Sequence, residues 1–323
     1  MNIGLIDVDC TNYPNLVLMK LSAWHKSQGD TVDLLTPNDV LGGDSLFNPH
    51  DKLIGACVFT KNMGIVEALR TQGADVAGCG TDDKRVLPDE IEHIYPDYSL
   101  YGITDTAYGF LSRGCPRGCP FCIVAGKEGK QSRKVADLSE WWHGQKNIIL
   151  CDPNLLACPE HDDLLDQLID SKAWVDVNQG FDVRLLNDSV IEKINALKIK
   201  MLHFAWDNPR DDIAKRKLKE FAECNSLDSR RRRVYILTNY WSTFDEDLYR
   251  VYWLRDNGYD PYVMIYDKDN APKKIRRLQR WVNNKRIFRS CKRFEEYGKS
   301  RREGNYEMYT RKQPTGFVEC PTK

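Results

Sequence analysis

From residue 107 to residue 289 the chain alternates strand-like and helix-like runs, and that rhythm leaves few folds open. The strand-like runs are AYGFLSRG, KNIILCD, WVDVNQG, KMLHFAWD, RRVYILTNY and DPYVMIYD. Helix-like stretches lie between them at 134–144, 160–171, 188–198, 210–224 and 244–257, and a last one follows at 272–289. Strands alternating with helices argue a parallel sheet, and right-handed crossovers curl such a sheet toward a barrel. Six units instead of eight predict an open, partial (β/α)6 barrel.

A shorter alternation precedes this array. NIGLIDVD reads as a strand and PNLVLMKLSAWHKSQG as a helix, with Pro14 near its start and Gly29 stopping it. DTVDLL, KLIGACVFT, the helix MGIVEALRTQG and ADVAGCG continue the pattern. The expectation is a small Rossmann-like α/β domain. Residues 81–105, with many acids and two prolines, read as a linker. The chain therefore divides into a Rossmann-like domain at 1–105, the barrel at 106–270 and a basic helix and tail at 271–323. A hydrophobic fraction of 41% supplies a sizeable core, and 29% charged residues argue solubility. No apolar run approaches the ~18–20 residues of a membrane span. The start, MNIGLIDVDC, lacks the basic region of a signal peptide, which places the protein in the cytoplasm. In that reducing compartment eleven cysteines are not a disulfide framework.

Three of those cysteines, Cys115, Cys119 and Cys122, stand in RGCPRGCPFC, residues 113–122. Gly114, Pro116, Gly118 and Pro120 let such a loop curl so that three thiolates converge. Structural zinc wants four ligands, and no second Cys-x2-Cys pair lies downstream. A 4Fe–4S cluster usually takes four cysteines, so three leave one iron without a protein ligand.

Cys-x3-Cys-x2-Cys, with Phe121 just before the third cysteine and six β/α units around it, resembles the radical S-adenosylmethionine (SAM) superfamily. The resemblance covers roughly residues 107–270. It implies that Cys115, Cys119 and Cys122 ligate three irons of a 4Fe–4S cluster, that the fourth iron chelates SAM, and that Phe121 packs beside the adenine. It implies that an electron from the reduced cluster cleaves SAM to a 5′-deoxyadenosyl radical, which abstracts hydrogen from a substrate the sequence does not name; a small electron donor such as flavodoxin or ferredoxin is implied as a partner. After the second strand the family commonly has a Gly-Gly-Glu-like stretch that meets the SAM amino group. This chain has CDPN there, and Asp152, ahead of Asn154, is the expected acceptor. After the third strand NQGFDVRLL places Gln179, Asp182 and Arg184 at a strand end, where an Arg suits a carboxylate bidentately and where the alternative is a strand-end ion pair. His203 in MLHFAW reads as a satisfied core histidine. Asp207, Thr238 and Asn239 are weaker candidates, and Cys151 and Cys158 read as buried thiols.

NQGxDxRL also resembles members that carry an N-terminal cobalamin-binding-like domain. That subgroup's fingerprint is Asp-x-His-x-x-Gly after the first strand. Here Asp7 is followed by Asp9 in place of the histidine and Asn12 in place of the glycine, so the domain is expected to be vestigial and not to hold cobalamin. A non-catalytic iron–sulfur redox sensor and a peptide- or small-molecule-modifying enzyme are the alternative functions.

Charge is spread unevenly over a chain whose formal net charge is zero. Residues 1–110 hold 7 Lys and Arg against 16 Asp and Glu, whereas residues 268–323 hold 17 against 6. The run KKIRRLQRWVNNKRIFRSCKRFEEYGKSRR interleaves basic and aromatic residues. It suits phosphate contacts with nucleic acid, which makes nucleic acid the first candidate substrate, and equally a docked helix with a solvated outer face. Cys291 and Cys320 form no close pair, so no second cluster is declared.

Overall fold

The computed structural model of the chain describes residues 1–42 and 50–297. Cys320 and the end of the basic run lie outside the described residues. The fold is mixed α/β with parallel sheets, and the described chain divides into two compact units.

The first unit holds residues 1–108 together with 139–145. Its elements are β1 (Asn2–Asp7), α1 (Leu16–Ser27), β2 (Thr31–Leu35), α2 (Pro37–Leu41), β3 (Lys52–Ala56), α3 (Met63–Thr71), β4 (Asp75–Ala77) and the one-turn α4 (Asp89–Glu92). Four parallel strands lie in the order β2-β1-β3-β4. The central strand β1 is buried from Ile3 to Asp7, which is why its sequence is apolar without alternation. Asn15 caps α1 with its side chain, and Gly29 leaves the helix at φ +84°. The segment at 81–105 is not a loose linker. Glu92 pairs with Lys20 at 2.9 Å, Asp97 accepts from Ser22 Oγ at 2.6 Å, and Tyr101 donates to Asp7 at 2.9 Å. Two of the acids that read as solvated spacer, Glu92 and Asp97, are partners of α1.

The second unit runs from Gly109 to Leu138 and from Lys146 to the last described residue. The chain enters it along β5 (Thr106–Gly109) and makes a small hairpin of β6 (Ser112–Arg113) and β7 (Arg133–Lys134), with α5 (Val124–Lys127) between them. Then follow β8 (Asn147–Leu150), α6 (His161–Ser171), β9 (Trp174–Val177), α7 (Asp188–Ala196), β10 (Ile199–Ala205), α8 (Asp212–Cys224), β11 (Arg232–Thr238), α9 (Phe244–Asp256) and β12 (Asp260–Ile265). Three short helices close the described chain: α10 (Lys273–Asn283), α11 (Lys285–Ser290) and α12 (Phe294–Tyr297).

The six strands lie in chain order, β5-β8-β9-β10-β11-β12, and the pairs from β8 to β12 are parallel. Gly109 accepts from the Cys151 amide at 2.9 Å, which sets the end of β5 against the end of β8. All the loops that follow strands therefore leave from one edge of the sheet, where α/β folds place their sites.

Two helix expectations change. The stretch 134–144 forms only a short 3-10 turn at Leu138–Glu140. Its backbone is satisfied by side chains instead: Gln167 takes the Leu138 amide at 2.8 Å and Gln145 the His143 amide at 2.7 Å. The stretch 272–289 breaks at Asn284, whose side chain accepts from the Ile287 amide at 3.2 Å and starts α11.

Beneath the loop edge lies a buried ion pair. Arg250 and Asp247 are both fully buried and meet at 2.5 Å. The Arg250 guanidinium also donates to the carbonyls of Trp206, Asp207 and Leu237 at 2.6, 2.7 and 3.0 Å. One side chain thus ties the ends of β10 and β11 to α9.

Candidate functional site

The cysteine loop leaves β6 through Gly114, which has φ +90°. A Cβ there would stand 2.0 Å from the Gln131 carbonyl oxygen, so only glycine passes. The loop is pinned on this side: the Gly114 amide donates to Glu128 at 3.3 Å and the Cys115 amide to the Gly129 carbonyl at 3.2 Å. Gly118 turns the chain again at φ +58°, with open space around it. The Cys122 amide closes a turn onto the Cys119 carbonyl at 2.9 Å.

Cys115 and Cys119 are half-buried and Cys122 is exposed. Burial pushes the Cys119 thiol up, and the neighbouring Asp207, Cys115 and Cys122 push it further in the same direction. The Cys119 sulfur therefore stands within electrostatic reach of the other two, and a shared cation there would favour the thiolate forms. Among the described residues no three His, Cys, Asp or Glu side chains are gathered closely enough to hold a metal ion as they stand.

At the end of β8 the polar residues divide the work differently from the sequence expectation. Asp152 is buried, and its oxygens accept from the Leu111 amide at 3.0 Å, the Ser112 amide and the Ser112 hydroxyl at 2.7 Å. Burial pushes its carboxyl up to about 7. Asp152 is a clamp on the strand that leads into the cysteine loop, and its acceptor oxygens are already used. Asn154 is the free acceptor. It is 3% exposed, its Nδ2 donates to the Cys115 sulfur at 3.5 Å, and its Oδ1 is buried without a hydrogen-bond partner. An orphaned buried carbonyl oxygen beside a candidate ligand cysteine is a feature that a bound donor would satisfy.

At the end of β9 the structure brings Asp182 and Arg184 together and leaves Gln179 exposed outside their network. Asp182 accepts from the Arg184 Nε at 2.7 Å and from Arg117, which the cysteine loop contributes. Arg184 donates a second bond to Asp211 at 2.7 Å. Burial would raise the Asp182 carboxyl, but Arg117 and Arg184 outweigh it and hold it below the usual range. The Arg184 fork expected to meet a ligand carboxylate is thus engaged by two aspartates, the strand-end alternative. Its effect reaches the loop through Arg117, a contact with no signal in the local sequence.

His203 is buried, bonds the Val177 carbonyl through Nδ1 at 2.9 Å and stacks on Tyr235, the core role its apolar surroundings predict. Thr238 donates to the Met264 carbonyl at 3.1 Å. Cys158 is buried, and burial pushes its thiol up to about 11. A cleft of about 510 Å³ opens beside the cysteine loop, bounded by Pro116, Arg117, Leu156, Cys158, His161 and Leu185.

Phe121 stands in an aromatic cluster. Tyr240 and Trp241, which follow Asn239 after the end of β11, form T-shaped pairs with it at 5.6 and 5.4 Å, and Tyr266, directly after β12, packs on Tyr240 at 4.7 Å. The rest of this cluster lies outside the candidate residues legible in the sequence. Its signal was aromatic residues within three positions of the ends of the last two strands, Tyr240 and Trp241 after β11 and Tyr266 after β12.

In the first unit Asp9 accepts from the Val58 amide at 2.6 Å, the Phe59 amide at 3.2 Å and Asn62 at 2.8 Å. Its carboxylate ties the loop after β1 to the loop after β3.

No family model matches the chain, and no curated protein matches it. Among solved structures it is similar to the radical S-adenosylmethionine methyltransferase TsrM from Kitasatospora setae, determined with tryptophan substrate and the SAM analogue aza-SAM bound. The TM-score is 0.37 and the identity 12%, over 81% of this chain and 67% of that one. Among the described residues no helix is long and apolar enough to cross a membrane.

Proposed function

We propose that the chain is a radical SAM enzyme, with Cys115, Cys119 and Cys122 as the ligands of a 4Fe–4S cluster and the six-stranded sheet as its partial barrel. One observation carries the reading. Three thiols at this spacing occupy a glycine-bent loop at the sheet's loop edge, where the Asn154 amide already donates to the Cys115 sulfur. The donor set fits: three thiolates satisfy three irons and leave one open to a small chelating molecule. When bound, the cluster supplies the electron that cleaves SAM reductively and generates a hydrogen-abstracting radical.

The chain's own residues bind and orient. Asn154 Oδ1 accepts a proton donor such as the SAM amino group, relieving its orphaned state. Asp152 holds Leu111 and Ser112 so that the loop starts in register. Phe121 offers an apolar face to the adenine, steadied by the edges of Tyr240 and Trp241. The Asp211–Arg184–Asp182–Arg117 chain of contacts positions the loop's middle. A flavodoxin or ferredoxin is the proposed class of electron donor. The first unit holds no cobalamin in this reading, because Asp9 replaces the ligand histidine and its carboxylate is engaged by three donors.

The test is anaerobic reconstitution with iron and sulfide. Expected are about four irons per chain and, after reduction, 5′-deoxyadenosine and methionine from SAM. Cys119→Ala should lose both while its circular dichroism stays that of the parent. Stoichiometric zinc with no iron, or iron without SAM cleavage, overturns the reading.

A further inference from the structure

Between Lys273 and Arg293 the chain carries ten Lys and Arg and no Asp or Glu. The apolar face of α10 is docked: Ile275, Leu278, Trp281 and Val282 are buried. Lys273, Arg276, Arg280, Arg286 and Arg289 are exposed on the outer side. Among the described residues none of these five has an ion-pair partner. An ordinary solvated helix looks different in the same molecule. On α8, Glu220 pairs with both Arg216 and Lys217, at 3.6 and 2.9 Å. Elsewhere cations meet acids too, as exposed Arg230 meets Asp228 and half-buried Lys193 meets Asp166. On α10 four cations also fall within the first five residues and no acid does, against the helix dipole.

The direction of α10 relates this face to the loop edge. Lys285 donates to the Pro261 carbonyl at 2.6 Å, while Gln279 and Asn283 donate to the Val263 carbonyl at 3.2 and 2.9 Å. The helix therefore runs antiparallel to β12, and its Lys273 end lies beyond the end of β12, where Tyr266 follows. The Lys274 ammonium is 3.7 Å from the ring centre of Phe244, three residues after Trp241. The basic start of α10 thus meets the chain three residues after Trp241.

That cluster is presented rather than enclosed. Trp241 is 37% exposed and Tyr266 42%. The residues at their bases are non-glycines in the left-handed region, Asn239 at φ +63° and Asp267 at φ +49°. The Asn239 amide donates to the Tyr266 carbonyl at 2.9 Å and locks the two loops together. Rings held by an uncommon backbone and left open suit a planar partner.

We propose that the second unit binds single-stranded nucleic acid, its phosphates along the cations of α10 and α11 and an unpaired base stacked on Trp241 and Tyr266. This names the substrate class of the proposed enzyme and rests on that reading only for what happens to the bound base. Stacking plus a cation row is the general chemistry of single-strand recognition, and RNA and DNA share it.

The experiment titrates the full chain against fluorescently labelled single-stranded RNA, single-stranded DNA of the same sequence, the duplex, and vesicles of anionic phospholipid, at two salt concentrations. Single strands should bind, with the logarithm of the affinity falling at a slope of about −0.7 per phosphate neutralised. The triple variant Arg276→Glu, Arg280→Glu, Arg286→Glu should flatten that slope by roughly two. Trp241→Ala should lower single-strand affinity roughly five- to a hundred-fold and leave the slope unchanged. Lys219→Glu, on the outer face of α8, should do neither. The two single strands differ only if the 2′-hydroxyl is read, and either result is compatible. No binding at the lower salt, preference for duplex or vesicles, or binding indifferent to Trp241 overturns the proposal. SAM cleavage is measured on the same preparation without nucleic acid. A chain that cleaves SAM and binds no strand refutes this inference alone, and one that binds strands but takes no iron refutes the enzyme reading alone.

Discussion

Gly114 and Gly118 lie four residues apart in one loop, both at positive φ, and alanine at the two positions should have unequal consequences. At Gly118 the new methyl meets nothing within 4 Å, so the cost is the left-handed backbone alone, about 1–2 kcal/mol. At Gly114 the same backbone cost applies, and the methyl falls 2.0 Å from the Gln131 carbonyl oxygen, well inside any contact distance. A backbone atom cannot swing away as a side chain does. Overpacking of this kind adds about 1–3 kcal/mol, for a total of about 2–5 kcal/mol. The strain is discharged either by unfolding or by displacing the loop, and the residue that moves first is Cys115. Urea denaturation and iron content after anaerobic reconstitution read the two routes. Gly118→Ala should keep its iron and lose about 1–2 kcal/mol of stability. Gly114→Ala should lose iron, stability, or both. A Gly114→Ala protein that holds full iron and unfolds within about 0.5 kcal/mol of the parent would mean that the loop does not need the conformation described.

Two further outcomes follow from buried charge. Arg250→Met should cost about 3–5 kcal/mol in urea denaturation, because it strands Asp247 in the core; adding Asp247→Leu should recover much of that loss, and a single variant within 1 kcal/mol of the parent would remove Arg250 as the tie between β10, β11 and α9. Burial lowers the His203 imidazole to about 4, so between that value and the ordinary 6.5 the unfolded chain binds the extra proton. The contribution of His203 to stability should therefore rise with pH across this window, by about 3 kcal/mol in total, while the raised carboxyls of Asp152 and Asp207 act in the opposite direction; the difference in stability between the parent and His203→Phe, which keeps a ring against Tyr235, isolates the histidine, and a difference that does not change with pH refutes the neutral buried histidine.

The six strands of the second unit were readable because each is a short apolar run closed by turn residues, and parallel order follows from the helices between them. The crossover at 134–144 was not readable. Its two tryptophans and Leu138 imitate a helical stripe, yet its amides are taken by Gln145 and by the distant Gln167. Periodicity reports which residues are apolar and cannot report that a side chain thirty positions away has claimed a backbone donor.

The same limit divides the candidate site. The cysteines declare themselves by spacing, since three thiols within eight residues need no tertiary information to be brought near one another. Asp152 and Asn154 are two residues apart on one strand end and look equivalent as acceptors. They are separated by what stands opposite: Leu111 and Ser112 face Asp152, whereas a sulfur faces the Asn154 amide and nothing faces its oxygen. Arg184 shows the converse. Its fork is suited to a ligand carboxylate by chemistry alone, and two aspartates, one of them 27 residues downstream, reach it first. Bonding capacity is a property of the residue and availability is a property of the fold. The residues best placed to meet a ligand at this edge are accordingly those left open among the described residues: the unpartnered Asn154 oxygen, the part-exposed rings of Trp241 and Tyr266, and the outer cations of α10 without ion-pair partners.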